Sequence, residues 1–312
     1  MLKSAFLKIC PFLCLFILAT TSGGLRVKAA DSGRGFTITP PVFELKANPG
    51  DKLSEVVSVF NNGAEDLFIA SSIENLKPMG EHGQVQVIGD STEGLASLKD
   101  WIKITAGNFD LKKGTTKNVS FDINVPGNAE PGGHFVTILF GTTTSNAGSG
   151  TGSQFSQKIG TLVLLTIAGQ AKESAIVTKF SPVKKLFLKN QTVDFNLKIQ
   201  NQGNVYVRPR GFLVITNIFG QKVAQIETDG KNILPSATRE IPLEFKSKHL
   251  FGPHTATLVL VYGNSNQNLN ATSGFLVIPW LSTLIVVVLL ILIILLRRRL
   301  WKALKILFGR DK

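Results

Sequence analysis

The sequence predicts an all-β protein: two tandem immunoglobulin-like β-sandwiches followed by a single C-terminal transmembrane helix. Three observations carry the prediction. Short runs alternate apolar and polar residues, as at 55–60, 117–125, 135–140, 192–199 and 255–262, with Gly, Pro, Asn and Asp between them, which is the pattern of half-buried strands. One ordered set of segments occurs twice along the chain. Near the C-terminus lies a long uncharged apolar stretch.

Residues 1–29 have the parts of a secretory signal. Lys3 and Lys8 precede an apolar run at 9–19, small residues follow, and Val27, Lys28 and Ala29 offer a cleavage pattern, so the mature chain is expected to begin near Ala30 or Asp31. Both cysteines, Cys10 and Cys14, fall inside this leader. The mature chain is therefore expected to hold no disulfide, thiolate metal site or cysteine nucleophile, and its stability must come from its cores.

Two sandwich domains are expected, at 30–172 and 173–270. In the first, an alternating run ends at Asn61, Asn62 and Gly63, a second segment follows at Leu111, Lys112, Lys113, Gly114 and Thr115, and a third starts at Gly133, His134 and Phe135. The counterparts are Asn201, Gln202 and Gly203, then Leu234, Pro235, Ser236, Ala237 and Thr238, then Pro253, His254 and Thr255. Matched order and near-equal spacing, with Gly114 answering Ser236, indicate two copies of one topology. The second copy is shorter because its counterpart to 71–110 is abbreviated. The Asn-x-Gly triplets are expected to make tight hairpin turns, Trp101 to plug the first core, and the Gly/Ser-rich stretch 146–153 to be a loop between strands. One short helical turn is expected around 95–99.

Residues 274–296 carry no charge. As a helix they would reach about 34 Å, against a hydrocarbon core of about 30 Å, and starting after Pro279 they would still reach about 26 Å. Trp280 sits where an interfacial anchor belongs, and Arg297, Arg298 and Arg299 follow the stretch. The positive-inside rule then places the basic tail 297–312 in the cytoplasm and the sandwiches outside the cell. Alternating apolar and basic residues in that tail suit an anionic leaflet.

The formal net charge of +13 is no nucleic-acid signature once it is located. Four basic residues lie in the leader and seven in the last sixteen positions, leaving 23 basic against 20 acidic residues between. A nucleic-acid binder concentrates its excess on a folded face, so that partner is rejected. No catalytic, cofactor-binding or metal-ligating residue is assigned. The histidines His82, His134, His249 and His254 form no metal-spaced cluster, and His134 and His254 occupy equivalent repeat positions, which favours packing. Carboxylates such as Glu65 and Asp66 are adjacent and do not converge.

The run Trp101, Ile102, Lys103, Ile104, then Phe109 to Gly114, Val119 to Pro126, and Glu130, Pro131, Gly132, Gly133, His134, Phe135 resembles the first domain of the WxL-interacting proteins of Gram-positive bacteria, over roughly residues 36–145. The resemblance implies a signal peptide, two immunoglobulin-like domains, one membrane helix and a basic tail. It also implies binding, of peptidoglycan or another wall component by the first domain and of a partner protein or a surface by the second. No functional residue transfers, because the matching positions are turn and core residues. The expected function is a non-enzymatic, membrane-anchored surface protein that needs no cofactor. The alternative is an envelope assembly chaperone or accessory subunit offering an open sheet edge.

Overall fold

The computed structural model describes residues 35–91, 93–143, 157–189, 192–246 and 250–308. The expected leader, the 146–153 loop, His249 and the last four residues of the tail lie outside them. Ten strands come first: β1 (Phe36–Thr39), β2 (Val42–Ala47), β3 (Lys52–Asn61), β4 (Leu67–Met79), β5 (Gln84–Gly89), β6 (Ile102–Ile104), β7 (Asn108–Leu111), β8 (Thr116–Asn124), β9 (Gly132–Thr143) and β10 (Lys158–Ile167). After residues 168–174 come β11 (Ala175–Pro182), β12 (Leu186–Phe187), β13 (Val193–Asn201), β14 (Arg210–Asn217), β15 (Lys222–Thr228), β16 (Thr238–Phe245), β17 (Gly252–Tyr262) and β18 (Gln267–Val277). The chain ends in helix α1 (Trp280–Phe308).

The repeat is visible in the sheet order. One sheet of the first sandwich runs β1-β3-β8-β6, and the other runs β2-β10-β9-β4-β5, with β7 also on β4. The second sandwich has β11-β13-β16 facing β12-β18-β17-β14-β15. In both, the opening strand is split: its first part pairs antiparallel in one sheet, and its second part crosses to pair parallel with the last strand. Only β15 stands between β14 and β16, whereas β5, β6, β7 and a short 3-10 turn at Lys99–Trp101 separate β4 from β8.

Alternation places the cores. In β13 every odd position, Val193, Phe195, Leu197 and Ile199, is buried, and β8 does the same with Val119, Phe121 and Ile123. Each sandwich has its own cluster. A third, small one, of Leu76, Phe135 and Leu164 with Leu234, joins the two domains. That is why β9, expected to alternate, is buried on both faces in its first half: Phe135 faces the second domain while Val136 and Ile138 face the first core. Trp101 packs at the rim of the first core, not in its centre, which Phe36, Phe121 and Phe140 fill.

The Asn-x-Gly triplets do something other than close hairpins. Asn61 ends β3 in one sheet, and the chain then crosses to β4 in the other. Its side chain is fully buried and makes three bonds: Nδ2 donates to the Glu65 carbonyl at 2.8 Å and the Leu111 carbonyl at 3.0 Å, and Oδ1 accepts from the Gly63 N–H at 2.9 Å. Asn201, also fully buried, repeats this with the Val205 carbonyl at 2.7 Å, the Ile233 carbonyl at 2.8 Å and the Gly203 N–H at 2.8 Å. Its backbone accepts from Ser236 at 3.1 Å as that of Asn61 accepts from Gly114 at 3.0 Å. Gly114 and Ser236 both have positive φ, at 69° and 61°, so the equivalence read from the sequence holds at the level of backbone conformation. Gly203 is required by close approach, since a Cβ there would lie 2.2 Å from the Lys172 carbonyl oxygen.

The expected membrane anchor is corrected. Gly274 to Val277, counted in the span, belong to β18, where Phe275 and Val277 are 4% and 1% exposed within the second core. What remains before Arg297 is the uncharged helical stretch 280–296, seventeen residues or about 26 Å, at the short end of what a span requires. Arg297, Arg298 and Arg299 continue within the helix instead of standing behind it. Among the described residues, no helix is long and apolar enough to cross a membrane. The single-pass cell-membrane localisation, with sandwiches outside and tail in the cytoplasm, is withdrawn on that finding.

Replacing Asn61 or Asn201 by Ala is expected to cost about 3 kcal/mol in urea unfolding, because each change removes three hydrogen bonds made by a fully buried amide. Asn61→Asp, which removes the donors and keeps the shape, should cost at least as much. A loss below about 1 kcal/mol would contradict the role of these side chains.

Candidate functional site

Unpaired sheet edges are templates for binding another chain unless they are blunted, so each edge reveals its own use. At β16 the Glu240 N–H donates to the Glu81 carbonyl at 2.6 Å, and Pro242, two residues on, has no N–H to offer. Strand β11 is interrupted by a bulge between Val177 and Lys179, which twists an edge away. Strand β15 carries exposed Lys222, Gln225 and Glu227. Strands β6 and β12 are three and two residues long.

The head of β10 differs. Strand β2 pairs with β10 only from Leu162 onward, because residues 40–41, both proline, carry the chain across to β1 in the other sheet. The crossover is tied down by the Leu162 N–H on the Pro41 carbonyl at 3.0 Å and the Thr161 hydroxyl on the Pro40 carbonyl at 2.8 Å. The Thr142 N–H donates to Gln157, so odd-numbered residues of β10 point their backbone groups at β9 and even-numbered ones point away. Lys158 and Gly160 therefore aim N–H and C=O outward, with no strand beside them among the described residues. Gly160 is held to glycine: a Cβ there would lie 2.6 Å from Thr137 Oγ1 and 2.8 Å from Leu139.

A second feature is the cleft between the sandwiches. Glu44 of β2 pairs with Arg208, and Asn232 Nδ2 donates to the same carboxylate oxygen at 2.8 Å. Arg208 Nε also donates to Asn232 Oδ1 at 2.7 Å. Arg239 of β16 donates to the Asn232 carbonyl at 2.6 Å, and burial pulls its pKa below the usual guanidinium range. On the adjoining wall Lys198 pairs with Glu81, and that hydrogen bond raises the lysine's pKa. The Gly133 N–H donates to the Asn204 carbonyl at 2.9 Å, so backbone bonds as well as charges hold the domains together.

Trp280 opens α1, half exposed, its N–H donating to the Leu188 carbonyl at 3.0 Å. Arg297 to Arg299 begin seventeen residues on, about 26 Å along the axis, so these residues form no common site. His134 and His254 are 7% and 5% exposed. Each is the third residue of its strand, with its ring against Trp101 at 4.4 Å and Phe275 at 5.4 Å respectively, and each lies within hydrogen-bond distance of a carbonyl, at Glu130 and Gly252. Both are packing residues. No group of three or more His, Cys, Asp or Glu that could hold a metal occurs among the described residues. Sequence reasoning missed the β10 head and the Glu44, Arg208, Asn232 and Arg239 network. The proline pair at 40–41 was the available signal for the first.

No family model and no curated protein matches the sequence. Among solved structures, the class 5 fimbriae chaperone CfaA is 16% identical, with a TM-score of 0.40 over 77% of this chain and 99% of that one. The E. coli chaperone DraB is 13% identical, with a TM-score of 0.37 over 76% and 96%. A PapD-like domain of human CEP192 is 12% identical, with a TM-score of 0.30 over 43% and 84%. Similarity this distant carries neither a family nor a function to this chain.

Removing the Glu44 carboxylate with Glu44→Ala is expected to lower stability by about 1 kcal/mol, since the Arg208 pair is partly solvated and screened. The loss should shrink in 0.5 M salt. Denaturation curves at two salt concentrations check it.

Proposed function

We propose that this chain is a non-catalytic binding protein that takes an extended segment of another protein along the bare head of β10. The observation that carries the reading is the outward N–H and C=O pairs of Lys158 and Gly160, which continue the sheet at the point where β2 leaves it. Strand addition at such an edge draws its affinity from backbone hydrogen bonds. The edges at β11 and β16 are bulged in the one case and capped and blocked by proline in the other. Half-buried Ile159 and Ile38 pack on the first core beside this edge, which would give an incoming segment apolar side chains to meet.

The test is Lys158→Pro in the full-length protein. It removes an outward N–H that has no partner among the described residues, so the fold should lose less than about 1 kcal/mol, while a partner captured from an envelope extract by a photo-crosslinker at position 159 should be lost. Capture unchanged by the proline, or binding to peptidoglycan sacculi with no protein captured, would contradict the reading.

A further inference from the structure

The cleft between the sandwiches encloses a cavity of about 300 Å³. Its floor is apolar, made by Val85 of β5, Leu162 and Leu164 of β10, and Leu234 of the second domain. Three cationic side chains, Arg208, Lys231 and Arg239, reach its walls, and no acidic residue lines it. An apolar cavity with a few convergent polar groups is the usual form of a small-molecule site, and this volume lies at the low end of the range.

The charges are unevenly matched. Arg208 has its counter-ion in Glu44, and Lys231 is exposed to water. Arg239 is half-buried, and its guanidinium donates to a neutral carbonyl; among the described residues no carboxylate lies within ion-pair distance of it. Its guanidinium rests on the β4–β5 turn, where a Cβ on Gly83 would lie 2.3 Å from Cζ. The group thus lies against the turn in the cavity wall. A cation withdrawn from water without a counter-ion is destabilised, and an anion reaching it would reverse that. One charge that is both unmatched and partly withdrawn from water suits a monoanion, and a planar guanidinium edge suits a carboxylate.

We propose that this cavity binds a small monocarboxylate with a short aliphatic body, the carboxylate on Arg239 and the body on Leu162 and Leu164. Such chemistry is presented by free branched-chain acids and by the carboxyl end of a polypeptide. The site is separate from the head of β10, and neither depends on the other.

The test is calorimetric titration of the full-length protein with 4-methylpentanoate, N-acetyl-leucine and the uncharged N-acetyl-leucinamide. At least one acid is expected to bind with a dissociation constant on the order of 1 mM or tighter, and the amide at least about tenfold more weakly. Preference for 4-methylpentanoate identifies a free acid as the source, and preference for N-acetyl-leucine identifies a peptide carboxyl end. Arg239→Gln should weaken the acids about tenfold or more and leave the amide unchanged, whereas Lys231→Gln should change neither. Absence of binding by both acids at 20 mM (on the order of twenty times that constant), or equal binding of acid and amide, would overturn the proposal. The comparison of acid with amide on the unmodified protein needs no variant to fold.

Discussion

Two buried asparagines hold this architecture together. Asn61 and Asn201 each sit where the chain leaves one sheet for the other, and each bonds a near loop and a strand junction distant in sequence, the latter 50 residues away for Asn61 and 32 for Asn201. A sandwich has no hydrogen bonds between its two sheets except where side chains supply them, and apolar packing between the sheets is not directional. A fully satisfied buried amide fixes the geometry of the crossover because any slip leaves its partners unpaired. The same side chain therefore appears once per domain with the same three partners.

From that frame the two binding features follow as by-products of topology. Splitting the opening strand between sheets closes one side of each sandwich. In the first domain it also strips the head of β10, because the proline pair takes β2 away before the strand ends. Packing the second domain against Leu76, Phe135 and Leu164 brings β16 alongside the β4–β5 turn, and this leaves Arg239 in the wall of a cavity instead of in solvent.

The strands, the repeat and the equivalence of Gly114 with Ser236 were legible because alternation and local turn chemistry are properties of neighbouring residues. Asn61 was recognised as a repeated position and misread as a hairpin residue, since its role depends on the Leu111 carbonyl, which no local pattern announces. The stretch 274–296 was misdivided for a related reason. Uniformly apolar residues carry no period, so Phe275 and Val277 in a core-facing strand looked the same as the helix that follows. The arginine cleft joins residues 164 and 188 positions apart, a contact that exists only once two folded domains meet.

Amide hydrogen exchange on the full-length chain, read residue by residue, tests this account most directly. The Gly63 and Gly203 amides, locked on the asparagine side chains, should fall in the slowest class, while Lys158 and Gly160, facing outward with no strand paired to them among the described residues, should exchange at the earliest times. Slow exchange at Lys158 and Gly160 in the unbound protein, or fast exchange at Gly63 and Gly203, would contradict it.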